Sequence, residues 1–528
     1  MHRDVTFHPQ TSAFGSAACN DVTAAPSLSN VTLMRPPTPA APATPSRRGG
    51  VCVLAPLAAA ALALAGCAHH DYARYEPRPL DPAKTAAALE ARTLDDPGLR
   101  KFLRENFRAD FPLTGAPEGG WDFEALCWVA FYFNPALDVA RAQWESARAV
   151  QKTAAERPNP TVTLTPGFSA NPNGASPWLP AIGLDFAIDP AAQRDRRAEV
   201  ARLNAEAARQ AVFATAWKVR SDLRQALADL AFANLRFEKL APQVDTSRRI
   251  LSLLEQRLAA GAATNADVAN ARLALIKAEA VAADAASQIA PTRQRVSQAI
   301  GIPDSAIAAT NLAKFRQKAH FIYSPESMAE ARRESLQIRA DVIGALARYA
   351  VAESTVALEV ERQHPGVHLG PGYQWDQGQN KWTVAFTFEL PLFNHNEGPL
   401  AEAEARRHEA AAQLAAAQAQ VLAELDSALA AQIAAEAQDA SLRQFQQELQ
   451  TQRQMVEARL QAGGADQLEL ENAKLEYAVG IQALAEASYK SYQAHELLDE
   501  VLHEFHPNLS ALAPPERVAT KPVSQQSP

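Results

Sequence analysis

The side chains that could do chemistry in this 528-residue sequence are four cysteines, a histidine pair and two carboxylates that recur after glycine turns. Cys67 closes the run Leu64-Ala65-Gly66-Cys67, behind an apolar stretch from Val51 to Ala65 and the basic pair Arg47 and Arg48. Small residues at 65 and 66 suit a processing peptidase, and a thiol in that position can carry a thioether-linked lipid. Cys127 lies in Ala125-Leu126-Cys127-Trp128-Val129 and reads as a packed small residue rather than a nucleophile. His364 and His368 would share one side of an extended strand. Two imidazoles without a third ligand are weak evidence for a metal site, and solvated strand residues are the plainer reading. No nucleophile elbow, phosphate-binding glycine loop, zinc-ligand cluster or dinucleotide fingerprint is present, so neither enzymatic activity nor a metal or soluble cofactor is expected.

The elements around these residues begin with an export signal. The apolar run is too short to span a bilayer comfortably but suits the core of a signal peptide. Its end resembles a bacterial lipobox, which implies cleavage before Cys67 and a covalent lipid on it. Ala68 rather than Asp follows, which implies sorting to the outer membrane. Cleavage would remove Cys19 and Cys52, leaving Cys127 as the one free thiol and no intramolecular disulfide. Met34 is an alternative start that would give a signal of ordinary length. The formal net charge of -8 gives no reason to expect a nucleic-acid partner.

A repeat organises the rest. Asn134-Pro135-Ala136-Leu137 corresponds to Arg339-Ala340-Asp341-Val342, and Pro166-Gly167-Phe168 to Pro371-Gly372-Tyr373, both at an offset of 205. From Ile182, which falls on Val384, the offset becomes 202 and holds through Arg257-Leu258-Ala259-Ala260-Gly261 against Arg459-Leu460-Gln461-Ala462-Gly463. The length difference therefore lies between Phe168 and Ile182, where a surface loop is expected.

Within each copy, Thr161 to Thr165, Ile182 to Asp189 and Thr383 to Leu390 alternate with period two, as strands do. Asp185 and Glu389 sit on the polar side, which suits a barrel facing lipid outside and water inside; a soluble hairpin with one buried face gives the same pattern. Phe168, Trp178, Tyr373, Trp375, Trp382 and Phe393 lie near the hairpin ends, where an aromatic girdle or ordinary packing would use them. Four strands per chain are too few to close a barrel around a lumen. From Leu400 to Ala462 there is no Pro or Gly, which predicts a helix about 95 Å long at ~1.5 Å per residue. Its counterpart from Arg196 to Ala260 contains Pro242, which should kink or interrupt it.

The repeat order, Asn134-Pro135-Ala136-Leu137, Leu390-Pro391-Leu392-Phe393 and the Arg-Leu-x-Ala-Gly turns resemble the TolC-like outer-membrane factors of tripartite efflux pumps, over roughly Asp122 to Phe505. The resemblance implies a mainly α fold with a membrane β-barrel contribution: two structural repeats of long coiled helices plus a β-hairpin, in a homotrimer whose 12-stranded barrel continues as an α-helical tunnel. It implies as partners outer-membrane lipid, a periplasmic adaptor protein and an inner-membrane pump of the RND type, which supplies the energy. Departures are Ile188-Asp189-Pro190-Ala191 in place of a Pro-Leu-Phe exit, and Arg339-Ala340-Asp341 in place of Arg-Pro-Asp.

The family's acidic ring just past the periplasmic turn falls on Asp267 and Glu469, as a gate that would concentrate cations. Its second acidic position is Asn472 here. Thr264-Asn265-Ala266-Asp267 and Asp466-Gln467-Leu468-Glu469 read equally well as capping boxes. Gly261, Ala262, Gly463 and Gly464 form the turns that would meet the adaptor, and they also read as plain helix connections.

The expected organisation is an export signal over 1–66, a lipidated N-terminal segment over 67–121 and a first repeat over 122–301 with its hairpin at about 160–189. A linker over 302–330, a second repeat over 331–506 with its hairpin at about 366–390, and a disordered tail over 507–528 follow. Three functions remain open: a passive exit duct for small molecules or metal ions, the same duct serving type I protein secretion, and a structural coiled-coil lipoprotein. The alternating hairpins disfavour the last, since a tether needs no barrel strands.

Overall fold

A computed structural model describes residues 76–115, 117–170, 176–308 and 325–502. The expectations for the export signal, Cys67 and the tail lie outside them. The chain divides into a unit over Met1–Pro79 and a second unit from Leu80 onward, which holds every element discussed below.

Three short helices open the second unit: α1 (Pro82–Glu90), α2 (Pro97–Asn106) and α3 (Phe123–Phe133). The first repeat then runs α4 (Pro135–Ala155), β1 (Thr161–Phe168), β2 (Trp178–Ile188), α5 (Ala191–Ala259) and α6 (Asn265–Ile300). After α7 (Asp304–Ala308) and α8 (Pro325–Ile338), the second repeat gives α9 (Ala340–Glu361), β3 (Val367–Asp376), β4 (Gln379–Phe388), α10 (Glu397–Gln461) and α11 (Gln467–Leu502). Helices α4 and α9 have Asn134 and Arg339 as their N-cap residues, the two positions related by the 205 offset. Between the strands, β1 and β2 are joined by a longer loop than the Gln377-Gly378 turn of the second hairpin.

Helices α5 and α10, of 69 and 65 residues, extend about 100 Å each at ~1.5 Å per residue. Neither is supported by its own propensity alone; each is lined in succession by two shorter helices. Helices α4 and α6 pack on α5, and α9 and α11 pack on α10. Pro242 does not interrupt α5, contrary to expectation. The proline is exposed, so the carbonyl it leaves unpaired can reach water, while Leu240, Gln243 and Thr246 on either side are buried and hold the helical path.

The repeat is visible in the packing as well as in the order. Leu137, Val219, Leu223 and Val296 are buried in the first core, and their equivalents Val342, Val421, Leu425 and Leu498 are buried in the second. The first core is larger because α2, α3 and the segment between them add Phe102, Trp121, Trp128 and Phe131 to it. Cys127 is buried there, and desolvation pushes its thiol far above the ordinary range, which suits a packing role. Arg100, also buried, donates to the carbonyls of Pro112 and Gly115 and to Asp95, with its guanidinium over the Trp121 ring.

The repeats join along α5 and α11, which carry polar partners down their length. Arg224 pairs with Glu496, Gln243 with Gln482 at 2.6 Å, Arg249 with Glu471 at 2.9 Å and Arg257 with Asp466 at 2.8 Å. As one number rises the other falls, so the two helices run antiparallel. Beside Val219 and Leu223, near the middle of α5, Arg92 donates to the carbonyls of Phe133 and Gly301, both at 2.8 Å, and Asn134 donates to Ala299 at 2.8 Å, tying the start of α4 to the end of α6.

Candidate functional site: the open sheet and the helical tips

The four strands form one antiparallel sheet in the order β1-β2-β3-β4, leaving β1 and β4 as edges. Its register sorts the side chains by face. Thr161 opposes Asp185, Ile182 opposes Tyr373, and Tyr373 opposes Trp382. Alternation then puts Val162, Leu164, Phe168, Trp178, Ile182, Leu184, Phe186, Ile188, Val367, Trp382, Val384, Phe386 and Phe388 on one side, and all are exposed to the surroundings of this chain. The other side carries Thr161, Thr163, Thr165, Asp185, His368, Gln374, Lys381, Thr383 and Thr387, with glycine and alanine between them. A sheet packed on a soluble core buries its apolar face; this one exposes it. At the turn end, Phe168 meets Trp178 edge-on with centroids 5.5 Å apart, and Tyr373 meets Trp382 at 4.9 Å.

His364 and His368 are not neighbours on one strand. His364 lies in the turn before β3 and offers its carbonyl to Gln193 at 2.7 Å, whereas His368 is on β3 with its Nδ1 2.9 Å from Asp185 Oδ2. The strand starts only at Val367 because Pro365-Gly366 breaks the extended run. Among the described residues, no group of three or more His, Cys, Asp or Glu could hold a metal ion. No described helix is long and apolar enough to cross a membrane.

At the opposite end the long helices turn. Gly261 and Gly463, with φ of 72° and 75°, accept the left-handed conformation that closes α5 and α10. Ala262 donates to Arg257 O at 2.7 Å and Gly464 donates to Arg459 O at 2.8 Å, while Gly261 and Gly463 donate to Leu258 and Leu460. This paired pattern is a Schellman close, and it accounts for the shared Arg-Leu-x-Ala-Gly signature. Gly261, Ala262, Gly463 and Gly464 are all exposed.

The two carboxylates past these turns have different partners. Asp267 completes a capping box with Thr264, and the Thr264 hydroxyl and backbone hold its carboxyl below the usual range. Asp466 caps α11 by accepting from the Glu469 amide at 2.9 Å, but the Glu469 side chain does not return the bond. Instead it pairs with Arg459 at 2.8 Å, so the expected second capping box is only half formed. Arg459 prefers a full countercharge within reach over leaving it to a backbone N–H. Asn472 is exposed one turn further on. The residue that sequence reasoning passed over is Glu471, buried on the inner face of α11. Burial opposes its ionisation, but hydrogen bonds from Lys474 and Arg249 outweigh that and hold its carboxyl below the usual range. The signal lay in Lys474, three residues on, a spacing that sets a cation beside Glu471 on one helix face.

Helices about 100 Å long, continuous with an open sheet whose apolar face is bare, define a class of membrane-associated subunits. The outer membrane efflux protein family model matches residues 132–302 and 331–502, one match on each repeat, and the chain belongs to that TolC-like family of outer-membrane efflux channels. Similar folds include a membrane protein from Pseudomonas aeruginosa, at 20% identity and TM-score 0.61, covering 73% of this chain and 90% of that one. The outer membrane protein VceC of Vibrio cholerae matches at 20% identity and TM-score 0.59, covering 72% and 95%. The MtrE outer membrane channel of Neisseria gonorrhoeae, in its open state, matches at 17% identity and TM-score 0.56, covering 72% and 88%. At these identities the likeness shows the fold. No protein of curated function matches the chain.

Proposed function

We propose that the chain is the outer-membrane exit duct of a tripartite efflux assembly, passing small molecules or metal ions delivered by an inner-membrane pump. The bare apolar face of the four-stranded sheet is the observation that carries this reading. Each exposed β1 and β4 edge is a row of unpaired backbone groups, intolerable in lipid unless another strand meets it. Three copies, joined β1 to β4, give a closed barrel of twelve strands and satisfy both edges. Helices α5 and α10 then continue the wall into the periplasm as a tunnel, and the turns at Gly261 and Gly463 face the adaptor. Asp267 and Glu469 line the tunnel mouth as its acidic gate, and a lipid on Cys67 anchors the chain to the same membrane. An inner-membrane pump of the RND type supplies the energy.

Purified protein in a planar lipid bilayer tests the duct. Stepwise conductance is the expected result, and protein that reaches the membrane but never conducts leaves the structural-lipoprotein reading in its place.

A further inference from the structure

Two contacts join the repeats within the chain: β2 pairs with β3, and α11 packs on α5. The offsets of 205 and 202 carry both contacts to a second place, where the first repeat of another copy meets the second repeat of this one. There β4 stands for β2 and α10 for α5, while the next copy's β1 and α6 stand for β3 and α11. In the chain, Ile182 opposes Tyr373, Phe186 opposes Leu369 and Ile188 opposes Val367. Transposed by the offsets, Val384 opposes Phe168, Phe388 opposes Leu164 and Leu390 opposes Val162. All of these side chains are apolar and exposed in the single chain. Leu390 lies beyond the last residue of β4, and its equivalent Ile188 closes β2, so the transposed register gives it the cross-strand partner it lacks.

The helices transpose in the same way. Gln243 of α5 is buried and donates to Gln482 at 2.6 Å and to the Ala478 carbonyl at 3.2 Å, both on α11. The equivalents are Phe445 of α10 against Ala280 and Ile276 of α6, all exposed in the single chain. Ile276 and Ala280 stand away from Val268 and Ala271, the buried side of α6. We propose that the seam between copies repeats the seam between repeats, so that β4 and α10 receive the next copy's β1 and α6 in this register and Phe445 seats on its Ile276 and Ala280. The inference rests on the reading that copies of the chain share one barrel, and it names the side chains that join them. The two seams differ in chemistry. Arg224–Glu496 and Arg249–Glu471, ion pairs within the chain, transpose to Asp426–Gln294 and Thr451–Ala269, which carry no opposite charges. An aromatic side chain set against small and branched neighbours therefore does between copies what polar pairing does within one.

Cysteine pairs in the full protein, probed in membranes, test the seam; native Cys127 is buried and does not compete. Phe388→Cys with Leu164→Cys should oxidise to a disulfide between copies at least about fivefold more than Phe388→Cys with Val162→Cys, since opposed Cβ atoms lie ~5 Å apart and diagonal ones ~7 Å. Phe445→Cys with Ala280→Cys should be joined by a short bis-maleimide into species of two and three chains on a denaturing gel. Phe445→Cys with Ser287→Cys, about two turns further along the same face, should not. Equal joining of the displaced pairs, or links formed only within one chain, overturns the proposal. Native mass of the same double variants separates the two levels of failure. Particles of three chains without the expected links keep the shared barrel and reject this seam. Particles of one chain reject the shared barrel, and this inference with it.

Discussion

Arg257, at the end of α5, reaches across to Asp466, the cap of α11, with Nη2 2.8 Å from Oδ2, so the tips of the two repeats are joined by one ion pair. The other oxygen of Asp466 accepts the Glu469 amide at 2.9 Å. One carboxylate thus holds a helix start and a contact between repeats.

The two roles separate by substitution. Arg257, then the backbone amides of Glu469 and Leu468, hold the Asp466 carboxyl below the usual carboxylate range. A depressed folded pKa means the contribution is complete above the unfolded value and is lost as pH falls through the folded one. Asp466→Asn keeps a good cap and loses the ion pair, so it should cost under about 1 kcal/mol, since both partners are substantially exposed. Asp466→Ala should cost about 1 kcal/mol more through the lost cap. Hydrogen exchange at the first turn of α11 reads both, and the difference between wild type and Asp466→Asn should vanish in acid.

Glu469 and Arg459 test the gate at the same end. Because they pair at 2.8 Å, Glu469→Ala removes a negative charge and also bares a positive one. Single-channel recording should show weaker block by multivalent cations, and Arg459→Ala should shift block the opposite way. Unchanged block in both would leave Glu469 as a partner for Arg459 with no gating role.

Two glycines should respond differently to alanine. Gly301 ends α6 at φ 88°, and an added Cβ would lie 2.6 Å from the Phe133 carbonyl oxygen. Gly301→Ala should destabilise by about 2 kcal/mol or more, from left-handed strain and a backbone clash. At Gly480 the added Cβ would lie 2.5 Å from Leu449 Cδ1, the mobile end of a side chain. Gly480→Ala should be nearly neutral, because Leu449 can rotate aside and α11 gains helix propensity of about 1 kcal/mol. Thermal unfolding of the detergent-solubilised variants compares them.

The exposed face of the sheet predicts an asymmetric response to charge on neighbouring residues. Val384→Arg puts a guanidinium on the apolar side and should cost about 2–4 kcal/mol of stability in lipid if it lies near the bilayer midplane. Thr383→Arg points to the polar side and should fold. Urea unfolding in liposomes measures the difference, and equal costs would remove the assignment of faces.

The sequence makes some of this legible and hides the rest for identifiable reasons. Thr161 to Thr165 and Ile182 to Ile188 announce strands because period-two alternation is a property of the chain alone. The same alternation cannot say whether the apolar side is buried; the exposure of Val384 and Phe386 supplies that. The turns at Gly261 and Gly463 are readable because a left-handed residue nearly demands glycine. Pro242 misleads, since packing of Leu240 and Thr246 overrides a local preference. The partner of Arg257 lies in another repeat, beyond the reach of local pattern. The aromatic core around Trp121 and Trp128 draws on 67–121 as well, a segment expected only to be the lipidated N-terminal stretch.

The central claim is that three chains share one barrel, because a single four-stranded sheet leaves β1 and β4 unpaired in lipid. Native mass measurement of the protein extracted from outer membranes tests it most directly. A particle of three chains, dissociating only when the sheet edges are disrupted, is the result expected. A particle of one chain, stable and folded in the membrane extract, would contradict it.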